Sequence, residues 1–320
     1  MSEKRPIPEA SLGKEWVMYG QKPGLKTESL LTFEKTRPYN VQVLQGISVG
    51  GSLFTDFVYQ NDFSANTTDE EVGNGKIPEL LAKINTQITG LFKVGKPVIV
   101  RSSAMDDKGG PGIYDSVFFV PTGNPEENLS QLIQAERAVY ASYFREDAKL
   151  FRDGNFSNDG MGLLIQPVIG RKYGNYFMPM IAGVFTVVNG DPIFRIVMGL
   201  GTKAVGLGKD DIMEGRINSS FYYGQRKYDV IDLQTGKIES VRIDEDFCGK
   251  VVQQAGKLDT ACKTWLEAVD KSETTYWEIA IDKSEKPYIL QSSFELQTPL
   301  GLKFGEPEGK ILLETADIAN

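Results

Sequence analysis

The chain reads as an α+β protein of two lobes, and three observations carry that expectation. Its 320 residues exceed the usual size of one compact core. Hydrophobic residues make up 41% and charged residues 24%, the balance of a chain whose core can offset the conformational entropy of folding. Apolar runs of strand length alternate with stretches of helical period, and the last two runs stand at hairpin spacing.

The opening stretch to about Thr36 is rich in Lys, Glu, Gly and Pro, with an apolar segment at Trp16 to Tyr19 and a helix-like one from Thr27 to Phe33. From Val41 to Tyr59 apolar and small residues alternate irregularly around Gly50-Gly51, and the polar stretch from Gln60 to Gly75 reads as a surface loop. Ile77, Leu80, Leu81, Ile84, Ile88 and Leu91 then recur with a helical period. The run from Lys96 to Arg101 is a short buried strand that delivers Arg101, Ser102 and Ser103 to a flexible loop containing Gly109-Gly110-Pro111-Gly112. A second strand is expected over Ile113 to Val120. A long amphipathic helix should start near Asn124 and end near Phe151. Strands are expected at Met161 to Val168, Met178 to Val188 and Ile193 to Met198, the last entering the turn Gly199-Leu200-Gly201. A helix fits Phe247 to Val269, and Thr275 to Ile281 with Pro287 to Gln291 closes the pattern as a hairpin.

Charge narrows the function. Acidic residues outnumber basic ones by 43 to 35, for a net charge of -8, which argues against a protein held to nucleic acid by backbone phosphates. Any phosphate ligand must meet locally gathered Arg, Lys and N–H groups. The two cysteines, Cys248 and Cys262, fit buried side chains on one helix face, and with zero histidines they cannot build an ordinary structural zinc site. Residues 1–8 carry charge and proline where a signal peptide would be apolar, and no run of eighteen apolar residues occurs. A soluble, cytoplasmic protein is expected.

Four segments end strand-like runs in polar residues suited to a phosphate ester or a metal: Val98 to Ala104, Gly112 to Ser116, Gly199 to Gly206, and Trp277 to Asp282 with Leu290-Gln291. A guanidinium at the end of a buried strand can bridge phosphate oxygens while the strand fixes its direction, which favours Arg101; the alternative is an ion pair with an acid of the following loop. Small residues at Gly109 to Ser116 would let N–H groups approach phosphates, or mark a solvated turn. Gln166 ends an apolar strand, as a polar contact for a ligand or as a cap on a sheet edge. Strand alternation puts Glu278 and Ala280 opposite Trp277 and Ile279; such a carboxylate either faces a cleft, where it suits magnesium, or sits on a hairpin's solvent face.

Taken together, in order and from about Gly24 to Phe294, these segments resemble the nucleotide-binding domain of the pyruvate phosphate dikinase and phosphoenolpyruvate synthase family. The resemblance implies an ATP-grasp-like fold, two lobes with mixed and antiparallel sheets and flanking helices around a nucleotide cleft. It divides the chain into residues 1–190, carrying Lys26, Arg101 and the glycine-rich phosphate loop; residues 191–300, carrying Glu278 and Gln291; and a tail or linker over 301–320. It implies ATP and Mg2+ as ligands. Arg101 and Lys26 become catalytic candidates, Lys22 being the near alternative to Lys26. Gly110, Gly112, Ser116, Gln166, Gly201, Thr202 and Lys203 become nucleotide contacts, and Glu278 and Gln291 metal ligands.

Two departures stand out. Many members have glutamate where this chain has Thr202, and the usual arginine two residues after the glutamine is Ser293 here. That arginine helps hold the transferred phosphates, a role open to Lys303 or to a partner. The family reaction splits ATP to AMP and phosphate and passes another phosphoryl group to a histidine on a swivelling domain. A chain with zero histidines cannot carry it. The carrier and the acceptor site, for phenol or pyruvate, are expected on a separate subunit or domain. A histidine-free chain of this length resembles the smaller, nucleotide-binding subunit of phenylphosphate synthase. The alternatives are a non-catalytic regulatory module, consistent with Ser293, and an ATP-grasp carboxylate–amine ligase with its own acceptor pocket. Neither nucleic acid nor membrane is an expected partner.

Overall fold

Seven consecutive buried residues, Met161–Pro167, form β6, the middle strand of a five-stranded sheet. The computed structural model describes residues 12–13, 15–36, 41–106, 113–188, 191–200, 228–242, 276–281 and 287–293. These fall into two compact units, each assembled from separated stretches of chain. The described parts of Met1–Gly24, Leu44–Met105 and Asp115–Pro167 make the first unit, and those of Leu25–Val43, Asp106–Tyr114 and Val168–Asn320 the second.

In the first unit β6 lies between β3 (Ile47–Val49) and β4 (Val98–Ala104), with β1 (Val17–Tyr19) beyond β3 and β5 (Ser116–Phe119) beyond β4. Only the β1–β3 pair is parallel. An apolar run with no alternation is what a strand buried on both faces requires, and β6 has Leu163, Leu164 and Ile165 fully buried. Helix α5 (Pro125–Ser142) packs on β4 and β5 and also against α3 (Asp69–Gly73) and α4 (Glu79–Thr89). Its start follows helix chemistry: the Asn124 side chain accepts from the N–H groups of Glu126 and Glu127, proline opens the first turn, and two acids face the dipole.

The single helix expected from Asn124 to Phe151 is two. Helix α5 stops at Ser142 and α6 (Glu146–Phe151) restarts, because Tyr143 and Phe144 turn into an aromatic core while Arg145 takes extended backbone as the cap of α6. Phe54 stacks on Tyr140 at 5.0 Å and meets Tyr143 at 5.5 Å, and Phe144 meets Phe156 at 5.5 Å. Each such burial contributes about 1.5–3 kcal/mol, more than a helical residue gains from propensity.

Two expectations of irregular chain are corrected. Gly51–Gln60 is helix α2, with Leu53, Phe54, Phe57 and Val58 on its buried face. Its start is close-packed, since a Cβ on Gly50 would lie 2.1 Å from the Gln21 carbonyl oxygen. A Cβ on Gly51 would lie 2.3 Å from the Asp159 carbonyl oxygen, and these two contacts, invisible in local sequence, explain the glycine pair. Within the polar stretch before Gly75, Thr68 builds a capping box with Glu71 and starts α3.

In the second unit the sheet order is β10 (Asp191–Met198), β9 (Ile181–Val188), β13 (Tyr276–Ile281), β14 (Pro287–Ser293) and β2 (Gln42–Val43). All pairs are antiparallel except β14–β2. Helix α1 (Leu25–Thr36) packs on β14 and β2, with Phe33 edge-on to Trp277 at 6.2 Å. The strands on either side of the expected division at residue 190, β9 and β10, pair with each other in one sheet. A small antiparallel sheet, in the order β12 (Ile238–Val241), β11 (Tyr228–Asp232), β8 (Tyr176–Met178) and β7 (Arg171–Tyr173), has strands too short and mixed in polarity to show a period. The mixed α+β class and the mixed and antiparallel sheets are as the sequence predicts. The helix expected over Phe247 to Val269, with both cysteines, lies outside the described residues. Among the described residues no helix is long and apolar enough to cross a membrane.

Candidate functional site

Arg101 is the fourth residue of β4, after Val98-Ile99-Val100, and only 8% exposed. The strand register sets it opposite Ser116 on β5 and Leu164 on β6. Directly opposed residues project from the same side of an antiparallel pair, so Arg101 and Ser116 share a face. Ile99 is opposite Gln166 in the same ladder, and alternation returns Gln166 to that face as well. Three residues separated widely in sequence are thus brought to one side of one sheet.

Gln166 does not cap a sheet edge, because β6 is the central strand. Its Nε2 donates to the Leu44 carbonyl at 2.6 Å, and its side chain is 1% exposed. The same bond leaves Oε1 as a buried acceptor with no hydrogen-bond partner among the described residues. Ser102 and Ser103 have structural work: the Ser102 N–H donates to the Asp115 carbonyl at 3.4 Å, and Ser103 Oγ donates to the Pro23 carbonyl at 2.9 Å. Beside them Gly24, at φ +83, has no room for a side chain, since a Cβ would fall 1.7 Å from the Ser103 carbonyl oxygen.

Of the two candidate lysines, Lys22 is ion-paired with Asp159. That bond, with a second from Ser157, holds the Asp159 carboxyl below the usual range. Lys26 lies in the first turn of α1, half-buried, in the second unit. Gly199, at φ +83, enters its turn beside β11: it bridges to Asp229, and the Leu200 N–H donates to the Asp229 carbonyl at 2.8 Å. Gly110, Gly112, Gly201, Thr202 and Lys203 lie outside the described residues.

Glu278 and Gln291 are direct cross-strand partners on the β13–β14 hairpin, 8% and 9% exposed. Glu278 is not on a solvent face, because it is buried, on a strand interior to its sheet between β9 and β14. The ladder slips by one residue immediately beyond: Glu278 faces Gln291, yet Ile279 faces Ile289. Leu290 is therefore the extra residue of a β-bulge. Without it Ile289 and Gln291 would share a face; with it Ile289 stays in the core against Ile279 while Gln291 swings to the side of Glu278. The pair offers carboxylate and amide oxygens, the hard donors that Mg2+ takes, and Mg2+ is commonly held by one or two protein oxygens with phosphates and waters completing the shell. These residues fit the ion. No cluster of three or more His, Cys, Asp or Glu side chains is present among the described residues.

A second buried carboxylate, absent from the sequence reading, is Glu136 on α5. Asn85 Nδ2 of α4 donates to its Oε2 at 2.6 Å. Burial drives its pKa up to about 8 against the smaller opposing effects of Asn85 and Arg137. The ion pair of Asp115 with Arg145, 2.7 Å apart, was equally hidden, since thirty positions separate the partners and no local spacing links them.

A family model described as pyruvate phosphate dikinase, AMP/ATP-binding domain, matches residues 70–257, more than half of the chain. The match encloses Arg101, Ser116, Gln166 and the stretches around Gly110 and Gly201; Lys26, Glu278 and Gln291 lie outside it. No curated protein matches the chain. With Arg101, Ser116 and Gln166 on one sheet face inside the matched region, the chain belongs to the pyruvate phosphate dikinase AMP/ATP-binding domain family.

Proposed function

We propose that this chain is the ATP-binding part of a dikinase-type phosphotransferase. In the reaction one phosphate of ATP stays on AMP, one goes to water as inorganic phosphate, and one passes to a histidine. With no histidine in this sequence, that acceptor belongs to another subunit or domain, which also holds the final acceptor, such as phenol or pyruvate. The observation that carries the reading is the Glu278–Gln291 register: two buried oxygen donors set opposite each other beside a β-bulge.

Arg101, fixed by a buried strand, suits the charge of phosphate oxygens, and the Ser116 hydroxyl opposite it suits a phosphate hydrogen bond. Gln166 Oε1 suits an amino group such as that of adenine. Glu278 and Gln291 would hold Mg2+, which when bound neutralises phosphate charge. Phosphoryl transfer asks little covalent chemistry of a protein, so positioning and charge are the work these residues do. Cytoplasmic residence and the split arrangement of phenylphosphate synthase belong to the same proposal.

The test is product analysis with Mg-ATP, using the chain together with whatever histidine-bearing subunit copurifies from its native host. AMP and phosphate in equal amounts are expected. ADP would instead indicate a carboxylate–amine ligase, and binding without turnover a regulatory module.

A further inference from the structure

Asp115 lies immediately before Ser116, the cross-strand partner of Arg101, and three bonds hold it. Its N–H donates to Ser142 Oγ at 3.1 Å, its carbonyl accepts from the Ser102 N–H at 3.4 Å, and its carboxylate accepts from Arg145 at 2.7 Å. The anchors are themselves fixed. Ser142 is buried and donates to the Val139 carbonyl at 2.6 Å, and Arg145 caps α6 with its Nε 3.3 Å from Asp147.

We propose that Arg145 is a positioning residue for phosphate binding at Arg101, acting through Asp115. The proposal rests on the nucleotide reading above. Two physical effects follow from the pair. Tethering Asp115 fixes the chain as it enters β5, and with it the register that sets Ser116 opposite Arg101. Neutralising Asp115 adds to this: it lies opposite Ser102, on the other face from Arg101, yet one residue along the ladder and within a Debye length, where an uncompensated carboxylate would weaken the attraction for a polyphosphate. The pair's side chains are 28% and 45% exposed, and ion pairs so accessible contribute little to stability. Its role is therefore orientation and charge.

The experiment is calorimetric titration of the full-length chain with ATP and, separately, with adenosine. Arg145→Ala should weaken ATP binding about tenfold and leave adenosine binding unchanged, because the lost interaction concerns phosphates alone. Arg145→Lys, which keeps the charge, should recover most of that loss. If Arg145→Ala does not fold, Arg145→Gln takes its place with the same expectation. ATP binding as tight as wild type in the substituted chain, or equal losses for ATP and adenosine, would overturn the proposal while the nucleotide reading stands. A wild-type chain that binds no ATP overturns both.

Discussion

Two buried glutamates, each beside a side-chain amide, occupy different regions and do different things. Glu136 joins helices α5 and α4 through Asn85 in a fully enclosed interior, where Tyr140 stacks 5.2 Å from Phe57. Glu278 joins strands β13 and β14 opposite Gln291 and keeps some access to solvent. Desolvation makes the first a neutral acid at pH 7, its pKa at about 8. Glu136 Oε1 and Asn85 Oδ1 are both buried without a hydrogen-bond partner, surroundings that favour the neutral acid over the carboxylate. The second pair sits where a bulge has turned an amide toward a carboxylate. Burial alone makes a structural acid; a buried carboxylate set opposite an amide that can offer a second oxygen is what the proposed Mg2+ site requires.

The largest effect should come from Glu278→Gln. With the proposed histidine-bearing partner supplied, AMP formation is expected to fall by two to three orders of magnitude, about 3–4 kcal/mol, the cost typical of losing one aimed electrostatic group. Unchanged turnover and magnesium requirement would remove Glu278 from the site. Next comes Glu136→Gln, which keeps the shape and removes the titration. The folded state retains a proton that the unfolded chain releases above the ordinary carboxyl value of 4.5, so the stability from Glu136 is full below that pH and lost as pH rises through about 8. Wild type should therefore lose roughly 2–3 kcal/mol between pH 5 and 8, allowing for water penetration, while Glu136→Gln stays level across that window. Urea denaturation at several pH values reads the difference, and parallel curves would show that Glu136 is ionised in the fold.

Asn85→Ala should cost about 2 kcal/mol at neutral pH, measured the same way, because it strips Glu136 of its hydrogen bond without touching the hairpin. AMP formation should persist in that variant at temperatures where it remains folded. The smallest effect is expected of Gln291→Ala: about a tenfold rise in the magnesium concentration for half-maximal activity, near 1.4 kcal/mol, with the melting temperature little changed. A larger loss of folding than of metal response would recast Gln291 as a packing residue.

Legibility in the sequence followed the range of the forces involved. Helix α4 and strands β4, β6, β13 and β14 were read within a few residues of their ends, because each carries a local apolar run or period. Helix α2 was missed because its N-terminal glycines, required by contact with the Gln21 and Asp159 backbone, look like a loop. The break between α5 and α6 was missed because Tyr143 and Phe144 suit a helix face as well as they suit the aromatic core that claims them.

The sequence by itself determined the α+β class, the acidic balance, the absence of histidine, and the candidacy of Arg101, Gln166, Glu278 and Gln291, since residue type and strand pattern are local properties. Tertiary structure alone decided which of them face one another. It paired Arg101 with Ser116, took Gln166 from a supposed edge to a central strand, committed Lys22 to Asp159, and used one extra residue, Leu290, to turn Gln291 toward Glu278. A strand's side chains alternate with period two, so a one-residue slip in pairing reverses which face a residue joins; that slip is set by the partner strand, which no local pattern records.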